Sequence, residues 1–316
     1  MKREAIVLLN MGGPNNLEEV EVFLTNMFND KNIITVKSSL LRRFIATMIT
    51  FSRSEKSQEI YRQIGGKSPI VELTKKLVAK LQSRVGESVI VDFAMRYTPP
   101  FASEAIQRLS DKNIEKIYLI PLYPQYSTTT TKSSLEDFEE QYHSSGSDAI
   151  LVEIKHFFNN KSYNMAILER IKERVSLEEI SEFDLIFSAH GLPVKVIEKG
   201  DAYERQIRKH ISILEQMMQD EGIRFKNIHL AYQSKVGPME WLKPSLEDKL
   251  KEIRNKKVVI FPLAFTIDNS ETDYELEIEY REVAHTLGYE EYRVCRCPND
   301  SDYFVEALLE LYAKMR

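Results

Sequence analysis

Short apolar runs alternate along this 316-residue chain with longer charged segments that have helical periodicity. The apolar runs are rich in β-branched and aromatic residues, and each is short enough to be a buried strand. Because these runs alternate with helical segments, the pattern predicts βαβ units and parallel sheets covered on both faces. The predicted strands are residues 5–10, 89–94, 116–120, 150–154, 184–188, 227–231, 257–261 and 291–295.

The chain also repeats itself in order, and each matching pair is a strand followed by a loop of similar character. Two α/β half-domains are therefore expected, over residues 1–150 and 151–316, and the C-terminal helix is a candidate to pack on the first half. Ligands bind at the carboxyl ends of the strands in open α/β sheets, so we expect a substrate cleft between the halves. The matching pairs are AIVLLNMGGP (5–14) with DLIFSAHGLP (184–193), VDFAMRY (91–97) with IHLAYQS (228–234), and KIYLIPLYPQYSTTT (116–130) with KVVIFPLAFTIDNSE (257–271).

An insertion near residues 30–70 lengthens the first half relative to the second. Its segment SSLLRRFIATMITF (38–51) places apolar residues on one helical face, beside Arg42 and Arg43. Such a face either covers an apolar anionic ligand, rests on a membrane surface, or faces the protein core. The residues of this face are Leu40, Leu41, Phe44, Ile45, Met48 and Ile49.

The formal net charge of −5 argues against a broad nucleic-acid-binding surface. No apolar run approaches the ~20 residues that span a bilayer, and the N-terminal run is interpreted as a first strand, not a signal peptide. Cys295 and Cys297 are the only cysteines, which is typical of a reduced cytoplasmic protein. As a CxC pair they are also a weak candidate for binding a metal or a redox partner.

His190 ends an apolar run and occupies the position of Met11 in the repeat. An imidazole at that position is suited to proton transfer near neutral pH or to metal binding. The alternative is a histidine that only makes a structural hydrogen bond at the end of a strand. Its place at the predicted ligand-binding edge favours a functional role.

The segment TIDNSETDYELEIEY (266–280) is strongly acidic and is predicted to be a helix. In a helix, Glu271, Glu275 and Glu279 follow the spacing i, i+4, i+8 and form one acidic stripe. This stripe is either a solvated surface or a row of carboxylates that accepts protons or binds a cation. His190 and Glu271 begin equivalent loops, so we expect them to face each other. Histidine with carboxylates suits ferrous iron or another borderline divalent metal.

Aromatic, cationic and hydroxyl side chains follow the other predicted strands. Flat aromatic surface with scattered cations suits a flat apolar ligand that bears carboxylates. Gln233, Ser234 and Lys235 lie in one of these loops. The candidate substrate-binding residues are Met11, Arg96, Tyr97, Tyr123, Tyr126, Ser127 and Trp241.

Several long segments make the chain resemble the ferrochelatase family, and the resemblance covers nearly the whole sequence. It implies a class II chelatase fold, with two similar Rossmann-like half-domains, each a parallel sheet flanked by helices, and a porphyrin cleft between them. It also implies a lyase that inserts Fe²⁺ into protoporphyrin IX, gives protohaem and releases two protons. The segments are LLNMGGP (8–14), YRQIGGKSPI (61–70), MRYTPP (95–100), YPQYS (123–127), FSAHGLP (187–193), YQSKVGPMEWLKP (232–244) and PLAFTIDNSETDYELEIEY (262–280).

The resemblance assigns roles to the candidate residues. It implies that His190 is the active-site histidine, that Glu271 is its partner carboxylate, and that both contact the metal. Glu275 and Glu279 would continue an acidic catalytic path. Met11 favours protoporphyrin over coproporphyrin, and the insertion near 30–70 corresponds to the family's active-site lip.

The chain departs from the family at Ile267, Asp268 and Asn269, where members often have Ser-Asp-His. A second histidine near the acidic helix is therefore missing, which puts a two-histidine metal scheme in doubt. The cysteine pattern of the cluster-bearing members is also missing, as are a transit segment and a C-terminal extension. We therefore expect a bacterial protein with no iron–sulfur cluster and no permanently bound cofactor, and with Fe²⁺ as a substrate.

The expected partners are protoporphyrin IX and Fe²⁺, with no nucleic acid. We expect a monomer in the cytoplasm, with peripheral inner-membrane contact through residues 38–51 as one option. Two alternatives remain at this point: a porphyrin or haem carrier without catalysis, and a related chelatase for another tetrapyrrole such as coproporphyrin III.

Overall fold

The computed structural model describes residues 3–235 and 237–316, which form two compact units. One unit contains the chain up to His156 together with Leu308–Arg316, and the other is Phe157–Ala307. Sequence analysis placed the boundary after residue 150, whereas the structure places it after His156. The last helix belongs in part to each unit, because its final residues group with the first.

The first unit is built on a four-stranded parallel sheet with the strand order β2-β1-β3-β4. Its strands are β1 (Arg3–Asn10), β2 (Val89–Met95), β3 (Ile114–Pro121) and β4 (Ile150–Glu153). Its helices are α1 (Glu19–Phe28), α2 (Ser39–Gln63), α3 (Ile70–Gln82), α4 (Ala102–Ser110), a π-helix at Thr128–Lys132 and α5 (Ser133–Ser144).

The second unit repeats this plan with the strand order β6-β5-β7-β8, again all parallel. Its strands are β5 (Asp184–His190), β6 (Asn227–Gln233), β7 (Lys257–Pro262) and β8 (Glu291–Val294). Its helices are α6 (Lys161–Lys172), a 3₁₀ turn at Ile180–Glu182, α7 (Val194–Glu198), α8 (Tyr203–Asp220), α9 (Leu246–Glu252), a π-helix at Glu271–Glu279, α10 (Tyr280–Thr286) and α11 (Asp302–Met315), which continues into the first unit.

The predicted fold class is confirmed, since every predicted strand is present and the two sheets have equivalent strand orders. The central strands β1 and β5 read as continuous apolar runs because each has a neighbour on both sides and helices on both faces. Residues 5–8 of β1 and 185–187 of β5 are completely inaccessible to solvent. This burial fixes the register of each sheet. The register in turn sets the position of the last residue of each strand at the carboxyl edge of the sheet.

The acidic segment is helical, as predicted, but it begins as a π-helix and not as an α-helix. In a π-helix the hydrogen bonds run from residue i+5 back to residue i, and Tyr280 accordingly donates its N–H to the carbonyl of Glu275. The equivalent segment of the first unit does the same, since the Lys132 N–H bonds to the Ser127 carbonyl. The spacing i, i+4, i+8 therefore does not place Glu271, Glu275 and Glu279 on one face as it would in an α-helix.

Most of the apolar face of α2 lies on the surface of the first unit. The side chains of Leu40, Phe44 and Phe51 are 81%, 63% and 85% exposed, whereas Ala46 and Thr50 are buried. Leu41 and Met48 of the predicted face are exposed too, so the alternative in which the whole face packs into the core is wrong. Ile45 is half-buried, and Ile49 packs against the core cluster that includes α1. Among the described residues, no helix combines the length and the apolar character that crossing a membrane requires.

Candidate active site

His190 is the last residue of β5, where it pairs with Gln233 of β6. The chain turns away immediately, and Gly191 donates its N–H to the Gln233 carbonyl over 2.8 Å. A Cβ at Gly191 would lie only 2.7 Å from that carbonyl oxygen, so this close approach requires glycine. The Tyr203 hydroxyl donates to the His190 carbonyl over 3.0 Å and fixes the strand end from the start of α8.

The imidazole of His190 is paired with the carboxylate of Glu271, as the equivalent loops predicted. Its Nδ1 lies 2.8 Å from Glu271 Oε2, and the His190 ring stands edge-on to Phe265. The His190 side chain is 36% exposed and that of Glu271 is 18% exposed. Nε2 has no hydrogen-bond partner among the described residues, so one ring nitrogen is oriented by a carboxylate while the other is available.

The electrostatics of this pair favour the charged forms. Burial lowers the pKa of His190, but the charge of Glu271 and its hydrogen bond outweigh that effect, so the pKa is raised above 6.5. Burial raises the pKa of Glu271, but the His190 charge and hydrogen bonds from His190 and Ser234 outweigh it, so the pKa is lowered below 4.5. The carboxylate therefore stabilises a proton on the imidazole.

Ser234 joins Glu271 to Glu275. Its hydroxyl oxygen lies 2.6 Å from Glu271 Oε2 and also contacts Glu275 Oε2, while its N–H donates to Glu275 Oε1 over 2.7 Å. The backbone of Ser234 has a φ of 65°, a left-handed conformation that is uncommon for serine. Gln233 is buried beside it, and its Oε1 accepts the Ser188 hydroxyl over 2.7 Å.

Glu275 has a different environment from Glu271. Burial and the negative charge of Glu271 raise its pKa to about 7, despite two hydrogen bonds from Ser234. Two neighbouring carboxyl groups with pKa values moved in opposite directions are typical of sites that exchange protons near neutral pH.

Glu279, the third predicted member of the stripe, is exposed. Its side chain makes no hydrogen bond or ion pair with the described residues. The structure therefore brings Glu271 and Glu275 together with His190 and does not bring Glu279 to them.

Asn269 supports the start of the acidic helix, and Asp268 holds the loop before it to Cys297 and Asn299. Sequence reasoning did not assign these roles. Asn269 Oδ1 accepts the Glu271 N–H over 2.8 Å. The Asp268 carboxylate accepts the Cys297 N–H and the Asn299 amide over 2.8 and 2.7 Å. An Asx residue before an acidic helix is a recognisable capping pattern, so Asn269 was detectable in the sequence.

Cys295 and Cys297 are buried, and burial raises the pKa of both thiols well above the usual range. Neutral buried thiols are weak ligands and weak nucleophiles. Among the described residues, no group of three or more His, Cys, Asp or Glu side chains is arranged to hold a metal ion.

In the first unit, Arg96 is surrounded by carboxylates. Its guanidinium lies 3.5 Å from Asp30 and 3.2 Å from Asp137, and its Nε donates to Ser133 over 3.0 Å. The Tyr97 hydroxyl donates to Asp30 over 2.8 Å. Sequence analysis proposed Arg96 and Tyr97 but missed Asp30, because only the fold brings Asp30 next to them.

The remaining candidates of the first unit differ in accessibility. Tyr123 is buried with its hydroxyl 3.0 Å from that of Ser134. Ser127 is also buried, and its side chain accepts the Thr129 N–H at the start of the π-helix. Met11 and Tyr126 are partly exposed. Tyr123 and Ser127 therefore support the loop that carries Tyr126.

Trp241 of the second unit lies beside the turn that follows His190. Pro193 and Trp241 form an isolated antiparallel bridge, and a side chain at Gly191 would come within 3.5 Å of the Trp241 ring. Its buried Nε1 has no hydrogen-bond partner in the described part of the chain. Trp241 therefore packs the turn that follows His190.

Comparison with known proteins identifies relatives over the whole chain. The sequence model of the ferrochelatase family matches residues 3–316. A ferrochelatase of Sulfurimonas denitrificans is 86% identical over 316 residues and covers 100% of both chains. A ferrochelatase of Nitratiruptor sp. is 52% identical over 312 residues, 99% of this chain and 100% of that protein.

A solved structure shares the fold at much lower identity. SirB from Bacillus subtilis with Fe³⁺ matches with a TM-score of 0.59 and 12% identity, over 99% of this chain and 95% of that chain.

Proposed function

Because the chain belongs to the ferrochelatase family, it is a lyase that inserts iron into a porphyrin, and we propose that His190, Glu271 and Glu275 perform the insertion. The contact between His190 and Glu271 carries this proposal, since it gives an oriented imidazole with an available Nε2 at the carboxyl end of a central strand. That edge is where open α/β sheets bind ligands.

The reaction requires proton acceptors, because a porphyrin loses two inner N–H protons when a divalent metal enters. We propose that Nε2 of His190 accepts a pyrrole proton and that Glu271 stabilises the resulting imidazolium. Glu275, with a pKa of about 7, can take up and release a proton at physiological pH. General acid–base assistance of this kind contributes typically about 10²–10⁴-fold to a rate.

His190 and Glu271 are also the proposed first ligands of the incoming Fe²⁺. A nitrogen and an oxygen donor suit this borderline metal. Two protein donors hold an ion more loosely than a full ligand set, and loose binding suits a substrate that must move on into the porphyrin. Glu279, on the same helix and exposed, is proposed as a later, solvent-accessible acceptor for released ions or protons.

We propose protoporphyrin IX as the porphyrin, on the basis of the methionine at position 11. Arg96, Tyr97, Tyr126 and Trp241 stay candidates for substrate contact, with Tyr123 and Ser127 as supports. Arg96 can meet a substrate carboxylate only in competition with Asp30 and Asp137, which already lie beside its guanidinium.

The exposed apolar face of α2 is proposed as a contact surface, with Leu40, Leu41, Phe44, Met48 and Phe51 as its residues. It either covers the bound porphyrin or lies on a membrane surface, with the exposed Arg43 beside it to meet anionic groups. Contact with a membrane through this face would be peripheral.

The test is anaerobic incubation of the purified protein with protoporphyrin IX and Fe²⁺ or Zn²⁺, followed by porphyrin absorption and fluorescence. We expect rapid formation of the metalloporphyrin by the wild-type protein and its loss in both His190→Ala and Glu271→Gln. Tight porphyrin binding without conversion would indicate a carrier instead. Coproporphyrin III run in parallel distinguishes the two porphyrin substrates.

A further inference from the structure

A cavity of about 930 Å³ lies at the amino-terminal edge of the second sheet. It is lined by the first residues of three neighbouring strands, Asp184 of β5, Asn227 of β6 and Lys257 of β7, and by the loops that precede them. His190 is the last residue of β5, so about 20 Å of strand separates this cavity from the His190 end of the sheet. The volume falls within the range of about 300–1,000 Å³ that is usual for small-molecule sites.

The buried carboxylate of Asp184 orders the polar side chains of this cavity. Its Oδ1 accepts the side-chain amides of Asn227 and Asn255 over 3.1 and 3.0 Å, and its Oδ2 lies 2.9 Å from His229 Nε2. His229 itself is half-buried, and its Nδ1 has no hydrogen-bond partner among the described residues. The imidazole is therefore held through one nitrogen, and the other is available to a ligand.

Most acidic side chains of the cavity already have partners. Glu182 is paired with Lys257 over 2.6 Å, and Glu252 is paired with Lys249 over 2.7 Å. The buried carboxylate described above accepts two amides and the imidazole. Among the described lining residues, Glu290 is the one carboxylate with neither an ion pair nor a side-chain hydrogen bond. The acids of the cavity therefore neutralise few further cations.

Three cations that line the cavity make no ion pair within the described part of the chain. Lys226 and Arg254 are exposed, and Lys256 is half-buried with its Nζ 4.7 Å from the centre of the Tyr289 ring. Lys226 precedes β6 and the other two precede β7, and these strands flank β5. Because adjacent strands are spaced by about 4.8 Å, the two basic loops are roughly 10 Å apart. The cavity thus has an excess of positive charge in a chain whose net charge is −5.

We propose that this cavity binds a small polyanion that carries two or more linked phosphate groups. Lysine and arginine are the side chains that most often bind phosphate oxygens. A single phosphate is smaller than the separation of the two basic loops, whereas a diphosphate or triphosphate chain can contact both. Lys226 binds one end of such a chain and Arg254 the other, while His229 and Lys256 line the same space. This site lies at the opposite strand end from His190 and does not depend on the proposed insertion of iron.

The experiment is calorimetric titration of the purified protein with pyrophosphate in the absence of divalent metal, with inorganic phosphate and ADP titrated in parallel. The cavity variant combines Lys226→Gln with Arg254→Gln, and both positions are exposed, so the fold should be kept. The matched control combines Arg205→Gln with Lys209→Gln, which removes the same charge from two exposed positions of α8 outside the cavity.

We expect saturable binding of pyrophosphate and weaker binding of inorganic phosphate. The cavity variant should lose affinity for pyrophosphate about tenfold or more, against less than about twofold in the control. Binding should weaken as ionic strength rises, because salt screens partly exposed charges. Tighter binding of ADP than of pyrophosphate would assign a nucleotide to the cavity, and weaker binding would assign an inorganic chain.

NMR locates the bound anion. The ring resonances of His229, identified by their loss in His229→Gln, should shift during the pyrophosphate titration. Those of His190, identified in the same way with His190→Ala, should stay in place.

A dissociation constant for pyrophosphate weaker than about 1 mM would overturn the inference. An equal loss of affinity in the cavity variant and the control would also overturn it, as would a shift at His190 without one at His229. Equal affinity for phosphate and pyrophosphate would exclude a linked chain as the ligand. None of these measurements uses porphyrin or iron, so their failure leaves the proposed function untouched.

Discussion

Nδ1 of His190 lies 2.8 Å from Oε2 of Glu271, although the two are 81 positions apart in the chain. The histidine is the last residue of β5, and the glutamate is the first residue of the π-helix. Because one ring nitrogen is held by a carboxylate, the ring orientation and its protonation are fixed together.

Replacing His190 by alanine should reduce metal insertion by about a hundredfold or more, because the proton acceptor is lost. Porphyrin affinity should change little, which fluorescence titration can check. His285→Ala, at an exposed histidine of α10, is the control and should keep full activity. Near-normal turnover by the His190 variant would exclude it as the acceptor.

Glu271→Gln should lower the pKa of His190. In the wild-type protein the charge of Glu271 raises this pKa against the effect of burial, and a neutral glutamine leaves burial to act alone. The imidazole proton should therefore be lost at lower pH in the variant. NMR titration of the histidine ring resonances measures the shift. An unchanged His190 titration would show that the pair does not interact in solution.

Glu275→Gln should change how stability depends on pH. The folded-state pKa of Glu275 is about 7, against 4.5 when unperturbed, so the folded protein binds the proton more tightly than the unfolded chain. Ionisation of Glu275 therefore reduces wild-type stability as pH rises from about 4.5 to above 7, by up to roughly 3 kcal/mol. Urea unfolding at about pH 5 and about pH 8 gives the free energy of unfolding at each pH. The variant should not show the decrease at the higher pH that is expected of the wild type.

The control for that measurement is Glu282→Gln, at an exposed glutamate of α10, which should behave as the wild type. If the free energy of unfolding depends on pH equally in Glu275→Gln and the wild type, Glu275 does not hold a proton in the folded protein.

Asn269→Ala should destabilise the protein by about 1 kcal/mol, because the Glu271 N–H loses its capping oxygen. Activity should also fall, since the same bond fixes the first residue of the acidic helix. Asn269→Asp keeps an oxygen acceptor at this position and should retain most of the stability. Thermal unfolding of both variants tests this role of Asn269. Equal melting temperatures for the Asn269→Ala variant and the wild type would refute it.

Phe44→Ser combined with Phe51→Ser should weaken whichever contact the exposed face of α2 makes. If the face lies on a membrane, flotation with anionic lipid vesicles should decrease while KM for the porphyrin stays constant. If it covers the porphyrin, KM should rise while vesicle binding stays at its wild-type level. If vesicle binding and KM both stay at their wild-type values, this face serves neither purpose.

Much of the fold could be predicted from the sequence because its causes are local. The buried runs of β1 and β5 and their neighbours are continuous and apolar, and the repeated loops showed that the sheets are equivalent. The placement of His190 followed from the same repeat. The type of the acidic helix did not, because a π-helix and an α-helix share caps and composition and differ only in the hydrogen bonds that form.

The sequence by itself determined that a histidine and a row of glutamates lie at the carboxyl ends of a parallel sheet, since strand period and loop order fix that edge. The tertiary structure alone decided which of those groups meet. It placed Ser234 between Glu271 and Glu275, left Glu279 exposed, and set Asp30 beside Arg96. Contacts of this kind depend on backbone turns such as the positive φ of Ser234, and they join residues that are remote in the chain, so no local pattern encodes them.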